Sequence, residues 1–177
     1  MTIAERIRFQ AFEPNAATLG HIVSNLRPGD REEALAVCWA DDADEILLRL
    51  LALRKGLTWV FGRDEPIAAI GIREKWPAAW EIWMLATPRF PEIALSLTKF
   101  VRRNLLPMVF NELDARHIDC HSIATHRVAH DWIVSFGAEQ HGPEKCEYGK
   151  RGEAFKEFRL TSARYRYVSG RRRRRRS

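Results

Sequence analysis

Ile7, Phe9 and Ala11 alternate with Arg8 and Gln10, and this period of two predicts a first strand. Pro14 and Asn15 then open a turn into a short helix over 17–26, which Pro28-Gly29 ends. Asp30 has the character of an N-cap, with Glu33 three residues on as its capping-box partner, so a helix is expected over 31–39. Asp42 or Asp44 caps the next, over 45–54, whose Ile46, Leu47, Leu50, Leu51 and Leu53 form one broad apolar stripe. Lys55-Gly56 closes it.

The period then changes. Strands are predicted over 57–61, 66–72 and 80–86, with a hairpin turn at 62–65 and a loop at 74–79 that holds Trp76 and Pro77. A long amphipathic helix follows from Pro91 to about Asn104, and Pro107 should kink or end it. His117 to Ile123 alternates as a strand does. Val128, Trp132, Ile133 and Phe136 share a face of a helix over 125–136 that Gly137 stops. Segments 146–148 and 154–160 should make a last hairpin. Antiparallel strands followed by strands joined through helices imply an α/β (α+β) fold, a mixed and mostly antiparallel sheet flanked by helices.

A chain of 177 residues, 46% of them hydrophobic, suffices for one well-buried core over 1–161. Residues 162–177 hold Arg, Tyr, Ser and Gly, with Val168 the one large aliphatic residue, and are expected to be a disordered basic tail. The formal charge is +6, but six of the basic residues are Arg171 to Arg176. Without them 23 basic residues face 23 acidic ones, so the basic character belongs to the tail. Three scattered cysteines with no CxxC pair speak against a zinc knuckle or a disulfide framework. No signal-peptide core is evident in 1–10, and no apolar run reaches membrane-spanning length. The expected location is the cytoplasm or a particle assembled there, such as a virion, with no membrane partner.

The segment Thr125-His126-Arg127-Val128-Ala129-His130-Asp131-Trp132-Ile133-Val134-Ser135-Phe136-Gly137-Ala138, with this element order, resembles the Gcn5-related N-acetyltransferase (GNAT) superfamily. A narrower resemblance, over about residues 5–160, is to phage proteins of the internal virion protein A type, which are GNAT-like. It rests on Arg27-Pro28-Gly29-Asp30-Arg31-Glu32 and on Trp83-Met84-Leu85-Ala86-Thr87. The resemblance implies a GNAT fold, acetyl-CoA as cofactor and N-acetyltransferase chemistry, with Glu81 as general base for the attacking amine. The cofactor's pyrophosphate would meet the turn Thr87-Pro88-Arg89-Phe90-Pro91-Glu92, with Thr87, Arg89 and Phe90 as its cofactor-binding residues.

That turn departs from the family pattern. It has no glycine to let amides approach a phosphate, two prolines remove amides outright, and Glu92 repels anions. Arg89 supplies attraction through a side chain only. The family's Tyr general acid and its Asn correspond to Ile133 and His126. A degenerate acetyltransferase is therefore the leading expectation, acting as a virion-associated or DNA-proximal accessory among other virion proteins. The alternatives are an active acetyl-CoA-dependent enzyme and a non-enzymatic assembly module that docks through a sheet edge or the Trp76 loop.

Outside the turn, His126 and His130 stand four apart on a helix face, and His117, Asp119 and His121 share a strand face; the plainer reading is polar groups at element ends rather than a metal site. Cys120 reads as a buried thiol rather than a nucleophile. In the tail, Arg164, Arg166 and Arg171, Arg172, Arg173, Arg174, Arg175 and Arg176 interleave with Tyr165 and Tyr167. Arginines release counterions from phosphates and tyrosines stack on bases, so the expected partner is nucleic acid or another polyanion, bound without sequence preference.

Overall fold

Residues 9–52 and 56–174 are described by the computed structural model. Ile7 and Arg8 of the expected first strand, and Leu53, Arg54 and Lys55 at the end of the third helix, lie outside them. The strands are β1 (Gln10–Phe12), β2 (Gly56–Gly62), β3 (Pro66–Trp76), β4 (Ala79–Ala86), β5 (His117–Ile123), β6 (Glu139–Gln140) and β7 (Phe155–Thr161). They form one sheet in the order β1-β2-β3-β4-β5-β7-β6. Neighbours run antiparallel except β4 and β5, which are parallel and paired only through Ala79 to Glu81 and His117 to Asp119. Beyond Glu81 the two strands part, and every candidate site below depends on that gap.

Alternation along the strands divides the core into two. Three helices, α1 (Ala16–Ser24), α2 (Pro28–Val37) and α3 (Ala43–Leu51), cover one face, where Leu19, Ile22 and Ile46 pack on Val60, Ala69 and Leu85. The opposite face carries α4 (Ala94–Phe100) and α5 (Arg127–Ser135), and Leu97, Trp132 and Phe136 join Ile70, Ile72 and Ile118. Trp83 lies flat over Gly71 on the first face: a Cβ at 71 would come within 2.3 Å of its ring.

Asn15 caps α1 reciprocally with Thr18, and Asp42 caps α3 through the Glu45 amide. Several expectations need correction. Asp30 is not an N-cap: α2 begins at Pro28, and Asp30 lies 4% exposed inside its first turn. The loop expected at 74–79 is mostly strand. Trp76 pairs with Ala79, the Ala78 backbone turns at φ 63°, and the Glu74 carboxylate accepts the Ala78 amide at 3.1 Å.

Pro107 does not end the helical run. It sits between two π-helical turns, Val101–Leu105 and Met108–Glu112. A widened helix accommodates a residue that has no amide to donate four residues back. Finally, β7 pairs with Glu139–Gln140, whereas 146–148 carries no strand and Glu147 has φ 55°.

The tail expected to be disordered continues from β7 as a helix, α6 (Ser162–Arg174). Tertiary contacts explain its order. Tyr165 stacks on Phe110 at 4.8 Å, and Val168 lies 3.0 Å from where a Gly137 Cβ would be. Arg164 pairs with Glu139 at 2.7 Å. The side chains of Arg171 to Arg176 lie outside what is described. Among the described residues no helix is long and apolar enough to cross a membrane.

Candidate active site

The turn after β4 is closed on itself. Thr87 donates its amide to the Ile67 carbonyl at 2.8 Å, Arg89 to Thr87 Oγ1 at 3.3 Å and Phe90 to the Thr87 carbonyl at 3.0 Å. Glu92 and Ile93 donate to Arg89 and Phe90, both at 3.0 Å. Pro88 and Pro91 have no amide to offer. From Thr87 to Ile93 every backbone donor is absent or already bonded within the protein.

Arg89 faces carboxylates. Its guanidinium meets Asp64 at 2.8 Å, Glu65 at 2.7 Å and Glu92 at 2.7 Å, and these bonds hold its pKa above the ordinary range. Arg63 approaches Glu92 at 3.7 Å. Three carboxylates gathered on Arg89 leave the spot acidic, which disfavours a phosphate. Phe90 is buried, beneath the Arg27 guanidinium at 4.7 Å and edge-on to Trp132. Thr87 is buried as well. The three residues expected to bind cofactor thus lie together in one turn, with their polar groups already bonded or turned inward.

The gap between β4 and β5 holds an apolar cavity of about 80 Å³, bordered by Met84, Ile118, Trp132 and Phe136. On the α2–α3 side lies a wider cleft of about 530 Å³, bordered by Trp39, Leu50, Trp83, Glu81, His121 and Tyr148. Glu33, Ile82, Trp83, Met84 and Cys120 border both. The cavity and the cleft thus share a wall made by these residues, at the level of Cys120.

Glu33 anchors that wall. Its Oε2 accepts from Ser122 Oγ at 2.7 Å and from the Ile123 amide at 2.9 Å, and His126 Nδ1 lies 3.4 Å away. Through the Glu33 bond, and against burial, the His126 pKa is raised. The other ring of the expected pair, His130, turns to the Ile123 carbonyl at 3.1 Å; burial lowers its pKa. Sequence reading took Glu33 for a capping partner, and its one signal was helical periodicity placing it four residues from Gly29, on the face that meets His126. Burial and the charges of Glu33, Glu81 and Asp119 push the Cys120 thiol far up, so it is no nucleophile.

Glu81 sits on the floor of the cleft. Burial opposes its charge. The His121 Nδ1 at 3.3 Å, Arg73 at 2.5 Å and Lys75 at 3.4 Å outweigh burial and hold the carboxyl at about 2. On its other side His121 Nε2 lies 3.1 Å from Lys145 Nζ. Lysine has only protons to give and a carboxylate only lone pairs, so a neutral ring between them carries its proton on Nδ1. Lys145 and Arg159 continue the network through Glu157 and Asp119. A carboxylate held so low, and so fully engaged, is a weak proton acceptor at neutral pH.

Comparison of the structure with solved ones finds the same architecture in acetyltransferases. A protein assigned as an acetyltransferase superposes with a TM-score of 0.70 at 15% identity, over 95% of this chain and 92% of its own. Another so assigned, from T. thermophilus, gives 0.69 at 15%, over 94% and 93%. A variant of the spermidine N-acetyltransferase SpeG from Vibrio cholerae gives 0.65 at 15%, over 92% and 99%. No family model and no curated protein sequence matches the chain. The likeness shows the fold, the mixed and mostly antiparallel sheet flanked by helices expected from the sequence.

Proposed function

We propose that this chain is a degenerate acetyltransferase: a GNAT-fold protein that has lost the usual cradle for the acetyl-CoA pyrophosphate and serves as an accessory protein. One observation carries the reading. From Thr87 to Ile93 no backbone donor is left for a phosphate, and the turn's own cation, Arg89, is held by three carboxylates. A pyrophosphate placed there gains no new hydrogen bond and meets acidic groups. Calorimetry with acetyl-CoA tests it. At about 1 mM ligand no binding heat is expected, because a complex weaker than that retains less than about 4 kcal/mol. A micromolar dissociation constant would refute it.

In this reading the arginine-rich C-terminal segment holds the protein against nucleic acid or another polyanion. The narrower resemblance carried by Arg27, Asp30 and Trp83 to Thr87 supports a phage-type protein in or on a virion. Mass spectrometry of purified particles is expected to detect the chain, and its absence from them would remove the virion role.

The second reading, an active N-acetyltransferase, is favoured by the wall that cavity and cleft share. An acyl donor in the cavity and an amine in the cleft would lie on either side of Glu33 and Cys120. Glu33 rather than Glu81 would then be the carboxylate nearest the reacting groups.

A further inference from the structure

The gap between β4 and β5 leaves a strand edge without a strand beside it. Peptide groups alternate along β4. The amide of Thr87 turns toward β3, as its bond to Ile67 records. Those of Ala86 and Met84 therefore turn the other way, toward β5, which no longer pairs at that level. An unpaired edge is a template for any extended chain that carries amides.

Part of that edge is taken by the chain itself. The Arg27 amide donates to the Ala86 carbonyl at 3.0 Å, and Asp30 Oδ2 accepts the Ala86 amide at 2.7 Å. Together they make the donor-and-acceptor pair that a neighbouring strand would present. Arg27 is fixed in turn, its Nε on Asp30 Oδ1 at 2.7 Å and its guanidinium over Phe90. Gly29 allows close approach from behind: a Cβ there would stand 3.1 Å from His126 Nε2.

We infer that the first turn of α2 is an autoinhibitory plug. Arg27 and Asp30 mimic a strand on Ala86 and exclude an extended amide ligand, of the kind the pantetheine arm of acetyl-CoA presents, until the turn withdraws. The inference rests on the proposed reading of the gap as a former cofactor site and extends it to a second, reversible closure.

The test titrates S-acetylpantetheine, which carries the amide arm without the pyrophosphate, into wild type, Asp30→Ala and Arg27→Gln, each shown to be folded by a cooperative melt. Asp30→Ala frees the Ala86 amide. Arg27→Gln loosens the plug but keeps the backbone donor, and it decides the matter if Asp30→Ala does not fold. Both variants should bind at least about tenfold more tightly than wild type, the change expected when a latch that holds ten molecules closed for each open one is removed. Equal binding by wild type and every folded variant overturns the plug, whatever acetyl-CoA does. Tight binding of acetyl-CoA by wild type overturns the closed-turn reading instead, whatever the variants do.

Discussion

Replacing Glu81 by Gln tests whether its carboxylate serves structure or proton transfer. The side chain is 14% exposed, and Arg73, Lys75 and His121 converge on it. Its pKa falls from an ordinary 4.5 to about 2. Because the folded value is depressed, the stabilisation is complete above the unfolded pKa and disappears as pH falls through the folded one. A carboxyl held that far below its ordinary value stabilises the folded protein by about 3 kcal/mol at neutral pH. Linkage removes about 2 kcal/mol of this between pH 6 and pH 3. Urea unfolding at about half-unit pH intervals in that window measures it, taken as the difference between wild type and Glu81→Gln. Other carboxylates titrate in both proteins and cancel. The advantage of wild type should shrink by about 2 kcal/mol as pH falls. A difference that stays level to within about 0.5 kcal/mol would show that the folded protein does not hold this carboxylate low, and Glu81 would regain its claim as a general base.

Two further predictions concern the tail and the sheet. Ending the chain at Gly170 keeps the Tyr165–Phe110 stack that docks α6 but removes six arginines. The log–log salt slope of DNA binding should flatten by about 4 to 5, since each phosphate contact contributes about 0.7 to 0.9; an unchanged slope refutes the polyanion role. Gly71→Ala places a methyl group 2.3 Å from the Trp83 ring and should cost about 1–3 kcal/mol in denaturant unfolding. An unaltered midpoint would mean that Trp83 does not lie over residue 71.

Local chemistry made much of the fold legible. Strand alternation from Gly56 to Ala86 and at His117–Ile123, the turn at Asn15 and the stop at Gly137 all speak through residues near in sequence. Parity along β4 separates Trp80 from Trp83, which join opposite cores. What escaped was long-range. Two-residue β6 carries too little pattern to declare itself. The helical form of α6 rests in part on Phe110 and Glu139, which the tail's own composition does not disclose. Asp30 and Glu33 have the spacing of a capping box, and only the meeting of α2 with β4 and β5 assigns them to Ala86, Ser122 and Ile123. The missing glycines between Thr87 and Glu92 were visible at once. The carboxylates around Arg89 were not, because Asp64 and Glu65 arrive from the β2–β3 turn.

The two closures of the β4–β5 gap differ in kind. At the turn, two amides are missing from the covalent chain, and the other donors from Thr87 to Ile93 are bonded in a tight local fold. Motion of a neighbouring element does not restore a donor to Pro88 or Pro91. At the edge, the Ala86 amide and carbonyl are intact and are covered by side-chain and backbone groups of another element, which withdrawal of α2's first turn would expose. A ligand that needs the turn therefore meets a barrier written into the sequence. One that needs only the edge meets a conformational equilibrium, and its apparent affinity falls by the fraction of molecules that are open. Mutations in α2 should accordingly move the affinity for an amide arm and leave the affinity for a pyrophosphate unchanged, whereas restoring the second affinity requires new residues between Thr87 and Glu92.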